Sequence, residues 1–442
     1  MTSSSPSKSS PLWQTRARPQ VVTHKATEKL DVVIERVPQA QPSLLAALAS
    51  SPAAEFLAPE SLENTLGEDV AVVDRASGRT VAFASVLAAE GTDFQKRTRL
   101  ADSALQRAAY FTRVHVAPDA PAGTQAVLMY AALRTARAWG RDVAAFLMAD
   151  DDTPTSRRYG LINLAHVARV DVPGKGAFRA KSQRLDLLLH QTSEEAAQAG
   201  QPLAPSFLVH EILDTLQHQL FTPVTQARFF TAVEAGTLTR EQYIYSLTQL
   251  HLFVRFTTRL LGRCVGYSPT TELRTHFISH LTGEVNHEII IERDLEHLGE
   301  NPSYVKEIAQ PNVPTREFMA SQESAIGFYQ DPLLLLVAPL AAEGVTGHLA
   351  PGFMEKLNAC VASWGVKDPQ KATRFLSSHI EYDGGEDGHW QGNLDLLSKH
   401  LHNETLLRRF LTLLRVAAEG TLRQWDSYVG DVELWTARPP AQ

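Results

Sequence analysis

From residue 206 onward the chain carries apolar residues at three- and four-residue spacing almost without a break, so this half can fold only as packed helices. Segments 206–221, 239–265, 270–298, 315–329, 333–348, 352–364, 369–382 and 404–428 each show the pattern. Thr239-Arg240-Glu241 and Asp368-Pro369 give start signals, a capping oxygen followed by an acidic residue or a proline in the first turn. The strongest apolar run, 333–342, is interrupted by Pro339 and is half the length of roughly 20 residues that a membrane span needs. It reads as a buried core helix. No internal repeat is present, and residues 206–430 are expected to form one all-α bundle with 431–442 as a tail.

The first half has a different pattern. Short β-rich runs at 69–73 and 81–87 flank Asp74-Arg75-Ala76-Ser77-Gly78-Arg79, a hairpin turn built from residues that tolerate turn geometry. A strand is expected at 111–116, then a Pro- and Ala-rich loop, a helix over 124–140 stopped by Gly140, a strand at 143–148 and a closing segment at 185–189. The whole is therefore an α+β two-domain chain. A mixed α/β domain at 31–191 is joined through a Gly/Pro linker at 192–205 to the helical domain. At 442 residues the chain exceeds what one ordinary core supports. The first 30 residues, rich in Ser and Pro without an apolar centre, are expected to be a disordered tail rather than a signal peptide.

Composition removes several functions. A net charge of −7 leaves no electrostatic footprint for nucleic acid. Two cysteines, Cys264 and Cys360, exclude a disulfide framework and a thiolate zinc site, and point to a reducing cytoplasm. No membrane partner is expected.

What remains is a constellation of carboxylates and imidazoles. Glu284 and His287 stand three apart, and His379 and Asp383 four apart, so each pair shares a helix face. Glu343 stands between them in sequence amid Leu340, Ala341 and Ala342, where an unpaired charge would be costly. Such side chains converging from several bundle helices suit a non-haem di-iron or di-manganese centre. On the same long segment, Glu288 and Glu292 read as solvent-facing or salt-bridged, and His276 and His280 as supporting groups or part of a polar stripe. His210, His218, His297 and His348 read as ordinary.

With these residues in place, 206–428 resembles the haem-oxygenase-like di-iron oxidases and oxygenases. That family orders an early carboxylate, an ExxH pair, a lone Glu and an HxxxDxxH motif. Glu284-x-x-His287, Glu343 and His379-x-x-x-Asp383 match it. The chain departs at two places: His251 stands where the early Glu is expected, and Glu386 where the final His is expected. A carboxylate and an imidazole have then traded places, leaving His251, Glu284, His287, Glu343, His379, Asp383 and Glu386 as the implied metal ligands. Two readings stay open beside this one: His389 turns inward from the glycine-rich stretch 383–388, or one metal position is weak or empty. The resemblance implies two ferrous ions per chain, one of them labile, dioxygen as co-substrate, an external electron donor and a small-molecule substrate of specialised metabolism. N-oxygenation of an amine towards hydroxylamine or nitro products is favoured. The alternatives are oxidative C–C cleavage or desaturation of an amino or fatty acid, and metal-free acid–base chemistry as in the pyrroloquinoline-quinone synthases or thiaminases.

The order of elements at 31–191 resembles the GNAT acyltransferases. Their pyrophosphate-binding loop is represented by Asp119-Ala120-Pro121-Ala122-Gly123-Thr124, which has an acidic residue where a basic one is usual and loses an N–H donor at Pro121. Arg157-Arg158-Tyr159 resembles that family's late tyrosine. The domain reads as a degenerate relative with a structural, homodimerising or substrate-presenting role, and acyl-CoA-dependent transfer as the alternative.

Overall fold

The computed structural model of the protein describes residues 21–37, 67–90, 92–149, 153–164, 169–172, 176–383 and 389–436. They group into two units, one holding residues 17–215 with 398–408, the other 216–397 with 409–442.

The first unit is built on a mixed sheet of β1 (Val21–Lys25), β2 (Leu30–Val37), β3 (Gly67–Asp74), β4 (Thr80–Ala88), β5 (Ala108–Val116), β6 (Val143–Ala149), β7 (Ile162–Asn163), β8 (Val170–Val172) and β9 (Gly176–Arg184). The strand order is β1-β2-β3-β4-β5-β6-β9-β7, with β8 also on β9. All pairs are antiparallel except β5–β6, which pair only from Ala108↔Val143 to Phe111↔Phe146. The helix α1 (Thr124–Ala138) makes the crossover that a parallel pair requires. The expected hairpin is present: Asp74 accepts from the Ser77 N–H and hydroxyl at 3.2 and 2.5 Å, and Gly78 takes the left-handed conformation.

Three expectations are corrected here. Val21–Lys25, inside the expected tail, is a strand paired along β2 from Val21↔Glu35 to Lys25↔Asp31. The run at 185–189 opens a helix, α2 (Leu185–Gln198), because Leu185, Leu188, Leu189, Thr192 and Ala196 bury one face at helical spacing. That helix occupies half of the expected linker, and the boundary between units falls after Thr215. The unit therefore also holds most of α3 (Pro205–Leu216), whose buried Glu211 pairs with Arg137 at 2.5 Å. Arg137 reaches Glu404 as well, also at 2.5 Å, so neither buried charge is left alone.

The loop before α1 is closed on itself. Thr124 donates its N–H to Pro121 O at 3.2 Å, Asp119 is paired with Arg79 at 2.6 Å, and a Cβ on Gly123 would lie 2.9 Å from the Ala199 side chain.

The second unit comprises α4 (Arg240–Tyr267), α5 (Thr271–Glu284), α6 (His287–His297), α7 (Val313–Glu323), α8 (Val337–Gly347), α9 (Pro351–Ser363), α10 (Arg374–Asp383), most of α11 (His389–His400) and most of α12 (Glu404–Thr436). Thr239 starts α4 with a reciprocal capping box through Gln242. The expected tail at 431–442 is helical as far as Thr436. Among the described residues no helix is long and apolar enough to cross a membrane.

Two departures from regular helix shape the interior. The expected single helix 270–298 is broken: Val285 is extended and Asn286 left-handed (φ 73°), so Glu284 ends α5 and His287 begins α6. Asparagine is among the few side chains that take this conformation at low cost. On α10 the cap comes from another helix. Asp294 of α6 accepts the backbone N–H groups of Arg374 (3.2 Å) and Phe375 (2.9 Å), whereas Asp368, the expected local cap, makes no capping bond.

Gly344 lets two aromatic rings press on α8 beside Glu343. A Cβ there would lie 2.8 Å from both Phe221 Cζ and Trp390 Nε1. Gly344→Ala should therefore cost about 1–3 kcal/mol despite the better helix propensity of alanine, measured by urea unfolding. A stabilised variant would contradict the packing.

Candidate metal centre

Five helices of the second unit deliver ionisable side chains to one buried place. α5 contributes His280 and Glu284, α6 His287, α8 Glu343, α10 His379 and Asp383, and α11 His389. Two overlapping groups result. Ligand atoms of His280, Glu284, Glu343 and His389 lie within 4.8 Å of one another, as do those of Glu284, His287 and His379. Glu284 belongs to both. Its Oε2 is 3.0 Å from His287 Nδ1 and its Oε1 3.8 Å from His280 Nε2, while His280 Nε2 is 2.9 Å from Glu343 Oε1.

Surrounding groups hold these side chains in place. His379 Nδ1 donates to the Phe375 carbonyl at 2.8 Å, which fixes the tautomer and leaves Nε2 as the free lone pair. Asn393 donates to Glu343 at 3.3 Å and contacts His276 Nε2 through its own oxygen at 2.9 Å. Thr346 donates to Asp383 Oδ2 at 2.6 Å. Gly283 gives His389 room, since a Cβ there would lie 3.1 Å from the imidazole Cε1.

Electrostatics place protons where the fold supplies no other cation. Burial, then the charge of Glu343, holds the Asp383 carboxyl well above the usual carboxylate range. Burial also acts to raise Glu284, yet the His287 hydrogen bond and the neighbouring imidazoles outweigh it and bring it down to about 2. For His280, burial is outweighed by Glu343 and its pKa is raised, whereas burial wins at His379 and lowers it.

The donor set fits a divalent cation. Three buried carboxylates in mutual range repel, and an ion of charge +2 relieves that more fully than shared protons. Asp383 Oδ1 and His389 Nδ1, 3.8 Å apart, are buried without a hydrogen-bond partner. Mixed carboxylate and imidazole donors suit iron, manganese or zinc better than calcium or copper(I).

Of the residues singled out from sequence, Glu284, His287, Glu343 and His379 are brought together, with Asp383 against the cluster. Glu386 lies outside the described residues. The alternative ligand, His389, is in the first group. His251 is not brought there. It is fully buried on α4, with Nε2 3.2 Å from Glu292 Oε1 of α6. His280, read from the sequence as a supporting group or part of a polar stripe, is a member of the first group. Its signal was present, because it precedes Glu284 by one helical turn and must share its face.

A cavity of about 80 Å³ adjoins the cluster. His280, Glu284, Glu343, His379 and Asp383 form part of its wall, and the remainder is chiefly aliphatic and aromatic, from α4, α8, α10 and α12.

No family model and no curated protein matches the sequence. Several solved structures are similar over about half of the chain. A domain of unknown function with a haem-oxygenase-like fold from Shewanella denitrificans is 14% identical, covers 52% of this chain and 96% of its own, and gives a TM-score of 0.45. A TenA homologue from Pseudomonas syringae pv. tomato is 12% identical over 47% of this chain and 87% of its own, with a TM-score of 0.38. A CADD-like protein of unknown function from Nostoc punctiforme is 14% identical over 53% and 98%, with a TM-score of 0.39. What the site can do is argued below from its own side chains.

Two measurements check this geometry. His280→Ala should weaken ferrous or cobaltous binding by about 10-fold or more, whereas His251→Ala should leave the number of bound ions unchanged, both by equilibrium dialysis. The reverse ranking would restore His251 as the ligand.

The second concerns Asp294, which burial pushes up from 3.8 to about 7 despite its two N–H donors. A carboxyl with a raised folded pKa binds its proton more tightly when folded. Its contribution is therefore full below the unfolded value and fades as pH rises through about 7, by up to roughly 4 kcal/mol. In the metal-free protein, the stability of wild type relative to Asp294→Asn should fall between pH 5 and pH 8. A pH-independent difference would contradict the assignment.

Proposed function

We propose that the helical unit is a metal-dependent oxidase or oxygenase, with iron as its resident metal, that uses dioxygen to oxidise a small and largely apolar molecule. The observation that supports this most is Glu284, one buried carboxylate shared by two groups of carboxylate and imidazole donors beside an apolar cavity. On this reading His280, Glu284, Glu343 and His389 hold one ion, and Glu284, His287 and His379 the other, with Asp383 in reserve beside His389. Ferrous ions, when bound, supply the electrons through which triplet dioxygen can react.

The chain's own residues prepare that chemistry. The Phe375 carbonyl keeps His379 Nε2 aimed at the cluster. Thr346 and Asn393 orient Asp383 and Glu343 through hydrogen bonds. The apolar wall limits water at the reacting centre and leaves room for a hydrocarbon framework. Amine N-oxygenation is the branch favoured here. In it R–NH2, dioxygen, two electrons and two protons give R–NHOH and water, with both electrons from an external donor. Oxidative C–C cleavage is the alternative branch.

The sheet unit is proposed as non-catalytic. At the N-terminus of α1 the Thr124 N–H is taken by Pro121 within the loop, and Asp119, paired with Arg79, stands where a basic residue would favour a pyrophosphate.

Anaerobic titration of metal-free protein with ferrous iron tests the reading. About two ions per chain are expected, with oxygen uptake that depends on them. Glu343→Ala and His287→Ala should each lose at least one ion while keeping the helical circular dichroism of the wild type. Failure to bind ferrous iron, or turnover unaffected by a chelator, would instead favour metal-free acid–base chemistry.

A further inference from the structure

Outside the metal cluster, the described part of the cavity wall holds a buried polar group that the fold does not satisfy. Gln322, near the C-terminal end of α7, is 1% exposed and lines the cavity, and its side-chain Nε2 has no hydrogen-bond partner. The threonines of the wall and its second glutamine, by contrast, are engaged. Thr257 and Thr421 donate to the carbonyls of Phe253 and Ala417, Thr346 donates to Asp383, and Gln424 donates to Thr315. An unsatisfied buried amide costs about 1–3 kcal/mol, a penalty that a core position sheds by becoming leucine or methionine. Just beyond it the helix widens into a π-turn at Ser324–Phe328, a distortion that often accompanies a functional position.

The wall has a second property. Among the described residues, none that lines the cavity outside the metal cluster is ionisable as an acid or base in the physiological range. These residues include no lysine or arginine to meet a substrate carboxylate. A free amino acid or fatty acid entering this space would find no counter-charge for its carboxylate away from the cluster, at a cost that burial makes large.

We propose that Gln322 is a substrate-binding residue, and that the cavity takes a mainly apolar molecule without a carboxylate that bears one uncharged oxygen acceptor, of the amide or ester class, in preference to a carboxylic acid. The inference rests on reading this cavity as the substrate site of the metal centre. Its chemistry is binding alone, and its test is made on metal-free protein, so it is read out whether or not iron binds.

Hexanamide, hexanoate and toluene serve as probes in isothermal titration calorimetry at pH 7.5, with wild type and Gln322→Leu. Wild type should bind hexanamide at least about tenfold more tightly than hexanoate. Gln322→Leu should weaken hexanamide about tenfold, the worth of one lost hydrogen bond to a buried partner, and leave toluene unchanged or tighter. Gln322→Leu should also unfold at an equal or higher temperature than wild type, because the replaced amide holds nothing in the free protein. Hexanoate binding as well as hexanamide in wild type would overturn the proposal, a comparison that needs no variant. So would a loss of thermal stability in Gln322→Leu, which would make the amide structural. No heat from hexanamide at millimolar concentration would overturn it too.

Discussion

Everything in the helical unit is arranged around the burial of three carboxylates, Glu284, Glu343 and Asp383, within reach of one another. Two like charges at such range in a poorly polarisable interior repel by several kcal/mol, and the fold has to answer that repulsion or protonate. It answers with four imidazoles, His280, His287, His379 and His389, rather than with arginine or lysine. The choice is chemically telling. A guanidinium would neutralise the site permanently, whereas imidazoles neutralise it only while protonated and present lone pairs once a cation takes the protons' place.

The helices are shaped to make that convergence. A regular helix through 270–298 would set Glu284 and His287 on one continuous rod. The break at Val285 and Asn286 instead puts them on the end of one helix and the start of the next, where the chain can change direction between them. α10, which carries His379 and Asp383, is capped by a carboxylate from α6, so the helix that begins with His287 also fixes where α10 starts. Gly283 and Gly344 then permit close approach by His389 on one side and by Phe221 and Trp390 on the other.

Much of this was legible in the sequence, and the losses have physical causes. Helical spacing marked the bundle, and the Asp74–Arg79 turn marked its hairpin, because both are local. β1 was missed because its five residues, Val-Val-Thr-His-Lys, carry a strand signal only when β2 is beside them to pair with. The helix break was missed because Asn286 offers no glycine or proline to announce it. At the site, His379 and Asp383 share one helix as their spacing implied, Glu284 and His287 meet across a helix break that the spacing did not show, and His251 was chosen by its distance from Glu284 along the chain. In space His251 pairs with Glu292, whereas the imidazole beside Glu343 is His280, one turn from Glu284. Spacing within one turn is geometry. Spacing across a loop is only correlation.

The most direct test of the metal centre is anomalous diffraction at the iron edge from crystals loaded with ferrous iron without oxygen. The account predicts a peak enclosed by His280, Glu284, Glu343 and His389, and a second among Glu284, His287 and His379. Peaks confined to the His251–Glu292 pair, or none inside the bundle at full iron loading, would contradict it.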